Sequence, residues 1–463
     1  MALKACCLRR SALGMEEKAS VTAIDTLLSP HAWPWRLDAK LVLIQALCVA
    51  GIVLLQHVVA SVVLSVMFFF LWRRMFGRRE AVIALFCLGC VMASSRLPGL
   101  MMWKTFRLVP ASLLMLEAIS IFRSVDQVFR RRILRWGVLL IALTALPALV
   151  SDYVLEGMKE TLLLATMWPI MATVAISLDG KEHQRRLHSL ILLAAAVLLA
   201  SMLVHLLNED ISMLKGRFRG VFGNPNELSH WLVPFALIML APAMGVPRMV
   251  KWGAIAGTCF LFFVTGTRGA MLALVLAVLG AWLIHAAAKR WLANVILVAG
   301  FATVIVSQLN DYSAINQFVP ERFVRNESMM EGGGRMIAWS HAWGEIQKRP
   351  FWGGGGGFEH RYFSENYTYF SLLDHEGMSH NSLLAFAMDF GVLSSLALVF
   401  SLFSVLGLLK GDLRVFAAPA LLFSLCVEGW LTAPMSASTP ALFFVAGVLS
   451  WTQSQSVNRL PRE

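Results

Sequence analysis

Apolar residues in this chain come in unbroken runs rather than in the periodic stripes of a soluble core. LILLAAAVLLASMLVHLL (190–207) and GAMLALVLAVLGAWLIHAAA (269–288) reach the ~20 residues that a helix needs to cross hydrocarbon. A backbone in lipid must satisfy its own hydrogen bonds, so such runs are helices and not strands. The pattern predicts about fourteen spans, at 41–55, 57–72, 81–95, 108–122, 134–150, 160–177, 187–206, 227–246, 251–265, 269–288, 291–308, 381–409, 415–431 and 438–453. The first four are short. If one pair is re-entrant or interfacial, the count is about twelve.

The polar positions between the runs set the orientation. Basic residues gather in RRMFGRR (73–79), RRRILR (130–135), KEHQRR (181–186), PRMVK (247–251), KR (289–290) and KGDLR (410–414). Counting spans leaves all of these on one side, as expected for cytoplasmic loops, and puts both termini there too. The organisation is then a cytoplasmic tail (1–40), a transmembrane bundle (41–308), a large periplasmic loop (309–380), C-terminal transmembrane helices (381–453) and a cytoplasmic tail (454–463). The expected fold class is an all-α polytopic membrane protein.

Composition agrees: 58% of residues are hydrophobic and only 15% charged, too few polar groups to cover a soluble surface. The net charge of +12 resides in the inter-span clusters, so it points to the bilayer and not to nucleic acid. The seven cysteines form no disulfide framework. Cys6 and Cys7 lie in the basic tail and the others in apolar runs, where Cys87 and Cys90 read as small packing residues. No cleavable signal peptide is expected, and Trp33 and Trp35 read as interfacial anchors.

Three segments on the outer face carry charge against the orientation rule: NEDISMLKGRFRGVFGNPNELSH (208–230), the turn TGTRG (265–269), and the loop 309–380. That loop is too long for a simple connection. Arg217 and Arg219 lie beside the GNPN turn, Arg268 sits in a glycine-flanked turn, and Arg335 follows three glycines. A single outer arginine is explained by snorkelling or by pairing with an acid such as Glu227. Several at once, on tight turns at headgroup depth, suit bidentate binding of phosphate oxygens. Asp389 and Glu428 lie inside spans toward their outer ends. Pairing with an outer arginine is the plainer account of both.

The loop ends in DHEGMSHNSLL (374–384), which has three readings. Asp374, His375 and His380 could ligate a metal, although no metal-ligand spacing is present. His380 could belong to a helix cap with Ser379 or Asn381. Or His380 could be a general base, since imidazole titrates near neutrality. The last joins the arginines into one chemistry. A sugar on a lipid pyrophosphate has a stable anionic leaving group that needs positive charge, and its acceptor hydroxyl needs one base.

At these residues the chain resembles the O-antigen ligase/polymerase family of bacterial envelope glycosyltransferases. RFRGVFGNPNELSHW, TGTRGAML and GGRMIAWSHAW…RPFWGGGGGF…SHNSLLAFAMDFG carry the likeness, in order and on one face. The resemblance implies a C-type glycosyltransferase-like fold in the bacterial inner membrane, no cofactor, and no metal. It implies an undecaprenyl pyrophosphate-linked glycan as donor, contacted by Arg217, Arg268 and Arg335, with His380 as base. Arg217 is preferred to Arg219 because it stands three residues before Gly220. Asn224, Asn226 and Asn381 would support the site. His380, Asn381 and Gly391 match the ligase branch's pattern, while Ser394 departs from its glycine or threonine. The leading expectation is O-antigen transfer to lipid A core oligosaccharide. The rivals are the chain-extending polymerase, a protein O-oligosaccharyltransferase, and a lipid-linked glycan transporter, against which the absence of an internal repeat argues.

Overall fold

The structure is a computed structural model that describes residues 39–95, 97–175, 179–241, 248–285, 335–372, 378–407, 413–429 and 435–457. The tail 1–38, the span expected at 291–308, glycines 332–334, Asp374 and His375 lie outside them. The longer helices described in the N-terminal bundle are α1 (Ala39–Leu55), α2 (Val58–Phe76), α3 (Arg78–Ser94), α4 (Leu108–Ser124), α5 (Gln127–Val150), α6 (Val154–Pro169), α7 (Gly180–Leu207), α8 (Pro225–Leu240), α9 (Arg248–Thr265) and α10 (Arg268–His285). Three follow in the segment after residue 334: α11 (Arg335–Lys348), α12 (Phe358–Glu365) and α13 (Tyr367–Leu372). The C-terminal part holds α14 (Ser382–Phe390), α15 (Val392–Val405), α16 (Ala418–Val427) and α17 (Ser438–Val457).

Caps set several of the boundaries. Asp126 accepts from the Val128 and Phe129 N–H groups at the start of α5, and Asp179 from Glu182 N–H at the start of α7, satisfying donors that have no partner within a helix. α1 packs on α2 and α7, α5 on α6, and α8 on α9, α10 and α17. The outward faces stay apolar: Leu116, Leu155, Leu162 and Leu206 are exposed, a burden in water and the natural state in lipid.

Among the described residues four segments are long and apolar enough to cross a membrane by themselves: Val58–Phe76, Trp103–Ser124, Gln127–Val150 and Gly180–Leu207. Shorter apolar stretches among the described residues include Lys40–Leu55, Trp252–Thr265, Arg268–Ala281 and Val392–Val405. The expected span 381–409 is two helices, broken at Gly391 (φ +85°). The cause lies in another part of the chain. The Phe351 carbonyl presses so closely on Gly391 that a Cβ there would collide with it. Val392 N–H donates to Pro350 O, and Gly354 and Gly355 N–H donate to Met388 O and Asp389 O. The glycine run 353–357 thus caps the carbonyl end of α14, a task that the helix cannot perform for itself.

A two-stranded hairpin, β1 (Met213–Leu214) with β2 (Arg217–Phe218), departs from the all-α expectation. Its turn residues Lys215 and Gly216 both have positive φ (+50° and +72°), the conformation of a two-residue turn whose twist suits paired strands.

At one end of the bundle the basic clusters 73–79 and 181–186 meet. Arg79 pairs with Glu182, and Arg186 pairs with Glu80 at 3.1 Å and with Glu182 at 2.9 Å. Arg186 is fully buried. From Arg186 to the end of α7 at Leu207 the helix rises ~30 Å, about one hydrocarbon thickness. The hairpin and the segment 208–230 follow at the other end.

Candidate active site

The site is assembled at that far end, beginning with α8. Asn224 is its N-cap and accepts from Asn226 N–H at 2.9 Å, with Pro225 at the first helical position, where its missing N–H costs nothing. The hairpin presents Arg217 to this turn. Its Nε donates to Thr265 O at 2.6 Å, and its Nη2 to Asn226 Oδ1 at 2.8 Å and Thr267 Oγ1 at 3.3 Å. Thr265 O ends α9, where unpartnered carbonyls favour a cation. Thr267 also donates to Asn226, and the next residue, Arg268, opens α10 with its side chain exposed. Arg219 is spent differently, donating to Ile211 O and Gly223 O of its own loop.

One turn along α8 from Asn226 stands His230, buried. Its Nδ1 is 2.7 Å from Ser424 Oγ, and its Nε2 is 3.9 Å from Glu428 Oε2. Ser229 is 2.6 Å from the Thr265 hydroxyl, so α8 links the arginine turn to Glu428. Arg335, the first residue of α11, reaches Glu428 Oε2 at 3.2 Å, and His380 Nδ1 lies 3.5 Å from Oε1. One carboxylate therefore stands among Arg335, His380 and His230. Glu428 sits just past the end of α16, not within the helix as expected. Burial alone would raise its carboxyl; the neighbouring His380, followed by Arg335, outweighs this and holds it at about 2.

His380 has φ +48°, an uncommon conformation for a branched-ring side chain that persists only where the surroundings impose it. Here they do. Trp339 of α11 donates to Ser379 O at 2.8 Å, and Ser379 N–H donates to Glu359 Oε1 at 2.7 Å. On the other side Asn381 caps α14 by accepting from Leu383 and Leu384 N–H, and Ser382 Oγ donates to Glu428 O at 2.7 Å. The cap reading of this stretch thus applies to Asn381, while the imidazole turns toward Glu428.

Asp389 corrects an expectation. It is buried and accepts from Glu359 N–H at 2.8 Å; its described contacts include no arginine. It anchors the first turn of α12 and, through it, Glu359. Ser394, the departure from the ligase-branch pattern, donates to Phe390 O and Leu143 O, stitching α15 to α5. Among the described residues no three His, Cys, Asp or Glu side chains gather as a metal site would require.

Sequence reasoning singled out His380, Arg335 and Glu428 separately, but not His230, Thr265, Thr267, Trp339, Glu359 or Ser382. Only His230 left a legible signal, its i+4 spacing from Asn226 on one helix face.

Residues 253–399 match the family model described as O-Antigen ligase. The matched stretch contains Arg268, Arg335, His380 and Asn381; Arg217 and Glu428 lie outside it. No curated protein matches the chain.

Proposed function

We propose, from the premise that the chain belongs to the O-antigen ligase/polymerase family, that it is the ligase, moving O-antigen glycan from undecaprenyl pyrophosphate to lipid A core oligosaccharide. Members of this family are glycosyltransferase-like enzymes with lipid-linked glycan and acceptor substrates. The observation that carries the reading is the sharing of Glu428 by Arg335 and His380.

The acceptor hydroxyl attacks the anomeric carbon, the carbon–oxygen bond to the pyrophosphate breaks, and its electron pair leaves with the pyrophosphate. The proton goes to His380. With Nδ1 turned to Glu428, Nε2 is the atom that accepts it, and the carboxylate stabilises the imidazolium that forms. Arg335, Arg268 and Arg217 supply positive charge for the departing pyrophosphate, with Arg219, Asn224 and Asn226 holding the loop that presents Arg217. The leaving group is already a stable anion, so this chemistry asks for neither a general acid nor a metal at that side. The anionic headgroup of a lipid donor lies at the level of these arginines, at the end of the bundle remote from the basic clusters. The positive-inside rule makes that end periplasmic in an inner-membrane protein.

Deletion in the host bacterium separates ligase from polymerase. Loss of a ligase leaves polymer on the carrier lipid, while loss of a polymerase leaves single repeat units on the core. Complementation with Arg217→Ala, Arg268→Ala and His380→Ala, read as lipopolysaccharide gel profiles, tests the residues. Full complementation by His380→Ala would remove the general base from the mechanism.

A further inference from the structure

Beside this site α11 bears a feature that the chemistry above does not use. Its inner row Ala338, Ala342 and Ile346 is buried against Phe363, Phe370, Ala387 and Met388. The next faces of the helix, with Tyr362 of α12, line a shallow groove of about 390 Å³ formed by Ser340, His341, Gly344, Glu345, Lys348 and Tyr362.

Gly344 is the telling residue. A glycine inside a helix costs about 1 kcal/mol relative to alanine, so its place here asks for a packing or functional reason. Packing does not supply it among the described residues: a Cβ at 344 would meet open space. The missing side chain keeps the floor of the groove open for something else.

The lining identifies the chemical class. His341 Nδ1 is 3.1 Å from the Tyr362 hydroxyl, and its ring stands edge-on to Tyr369 and Phe370. The ring is thereby fixed, and Nε2 is its remaining polar atom. Lys348 pairs with Glu345 at 2.6 Å, so the groove carries no surplus positive charge to select a phosphate. Its polar lining likewise does not suit an acyl chain. Tyr369, about half exposed and edge-on to His341, adds an aromatic face. Hydroxyl, imidazole, ammonium and carboxylate groups beside such a face suit a sugar, whose hydroxyls need polar partners and whose C–H faces pack on rings. Ser340 to Lys348 lie five to thirteen residues from Arg335 on one helix, so the groove extends from roughly 8 to 20 Å from the site, the reach of a short oligosaccharide.

We propose that this groove is a subsite for the glycan chain, gripping an oligosaccharide a few sugar units away from the bond that is made. This rests on the transferase reading, and the chain held there belongs either to the donor glycan or to the acceptor core. Full-length protein purified in detergent would be titrated calorimetrically with lipid-free core oligosaccharide and, separately, with lipid-free O-polysaccharide, each released by mild acid. The expected result is binding of one of them, which names the source. Gly344→Gln, which fills the groove, and His341→Ala should weaken it at least about tenfold, with Gly344→Ala as a folding control that adds little bulk. His380→Ala should bind as the wild type does while failing to transfer. No binding of either glycan, or equal binding by the groove variants, overturns the subsite and leaves the transferase reading standing. Full transfer by His380→Ala removes His380 as the base, and absence of transfer by the wild type overturns the transferase reading, each without touching the binding result.

Discussion

Glu428→Gln is the sharpest test of the site, because it keeps the shape of the side chain and removes only its charge. The carboxylate lies 3.5 Å from His380 Nδ1 and 3.2 Å from Arg335 Nη2, with the Glu428 side chain 13% exposed. At an effective dielectric of about 20, opposite unit charges at this separation attract by about 4 kcal/mol. If the proton is about half transferred in the transition state, about 2 kcal/mol of that is expressed in the barrier. Turnover should therefore fall roughly ten- to hundredfold. The donor KM should not rise, since Arg335 loses a competing anion and can only bind pyrophosphate better. Initial rates of labelled glycan transfer by purified full-length protein would measure both quantities. Wild-type turnover, or a loss wholly in KM, would refute a carboxylate-supported base. Folding can be checked separately, because Ser382 bonds the Glu428 backbone carbonyl, which the substitution retains. Stability has its own signature. The folded pKa of about 2 lies below the ordinary 4.5, so the carboxylate's contribution is complete above about 4.5 and is lost as pH falls toward 2.

Other perturbations separate site from scaffold. Arg217→Lys keeps the charge but cannot span Thr265, Asn226 and Thr267 together; it should cost about 1–3 kcal/mol and lower both the unfolding temperature and turnover. Glu80→Gln leaves the buried Arg186 with Glu182 alone and should destabilise by about 3 kcal/mol, seen in thermal unfolding, with unchanged turnover per folded molecule. Gly391→Ala adds a Cβ at φ +85° against the Phe351 carbonyl; a loss of more than about 2 kcal/mol is expected, with turnover falling as α14 and His380 shift. An alanine variant as stable as wild type would show that the break in the helix is not imposed by that contact.

Legibility differed from residue to residue. Arg217 and Arg219 look alike in sequence, two apart in one basic turn, and only their acceptors separate them. Arg217 reaches α8 and the end of α9, while Arg219 closes its own loop. Asp389 invited pairing with arginine because a carboxylate in an apolar run demands a partner. Its partners are the backbone N–H groups of Glu359 and Gly357, some thirty residues earlier, and backbone groups carry no signature in sequence. The break at Gly391 was invisible because glycine does not interrupt an apolar run; it arises where a distant turn supplies donors to the severed helix end.

The sequence by itself determined that this chain is a helical membrane protein, where most helices run, and which arginines and histidine deserved attention. Those properties are local: each run answers to its solvent whatever its neighbours do. Only the tertiary structure decided that Glu428 stands among Arg335, His380 and His230, and that Arg217 closes on the turn before Arg268. These contacts join residues 93 and 48 positions apart. Their existence depends on how helices pack against one another, which the hydropathy of each segment leaves open.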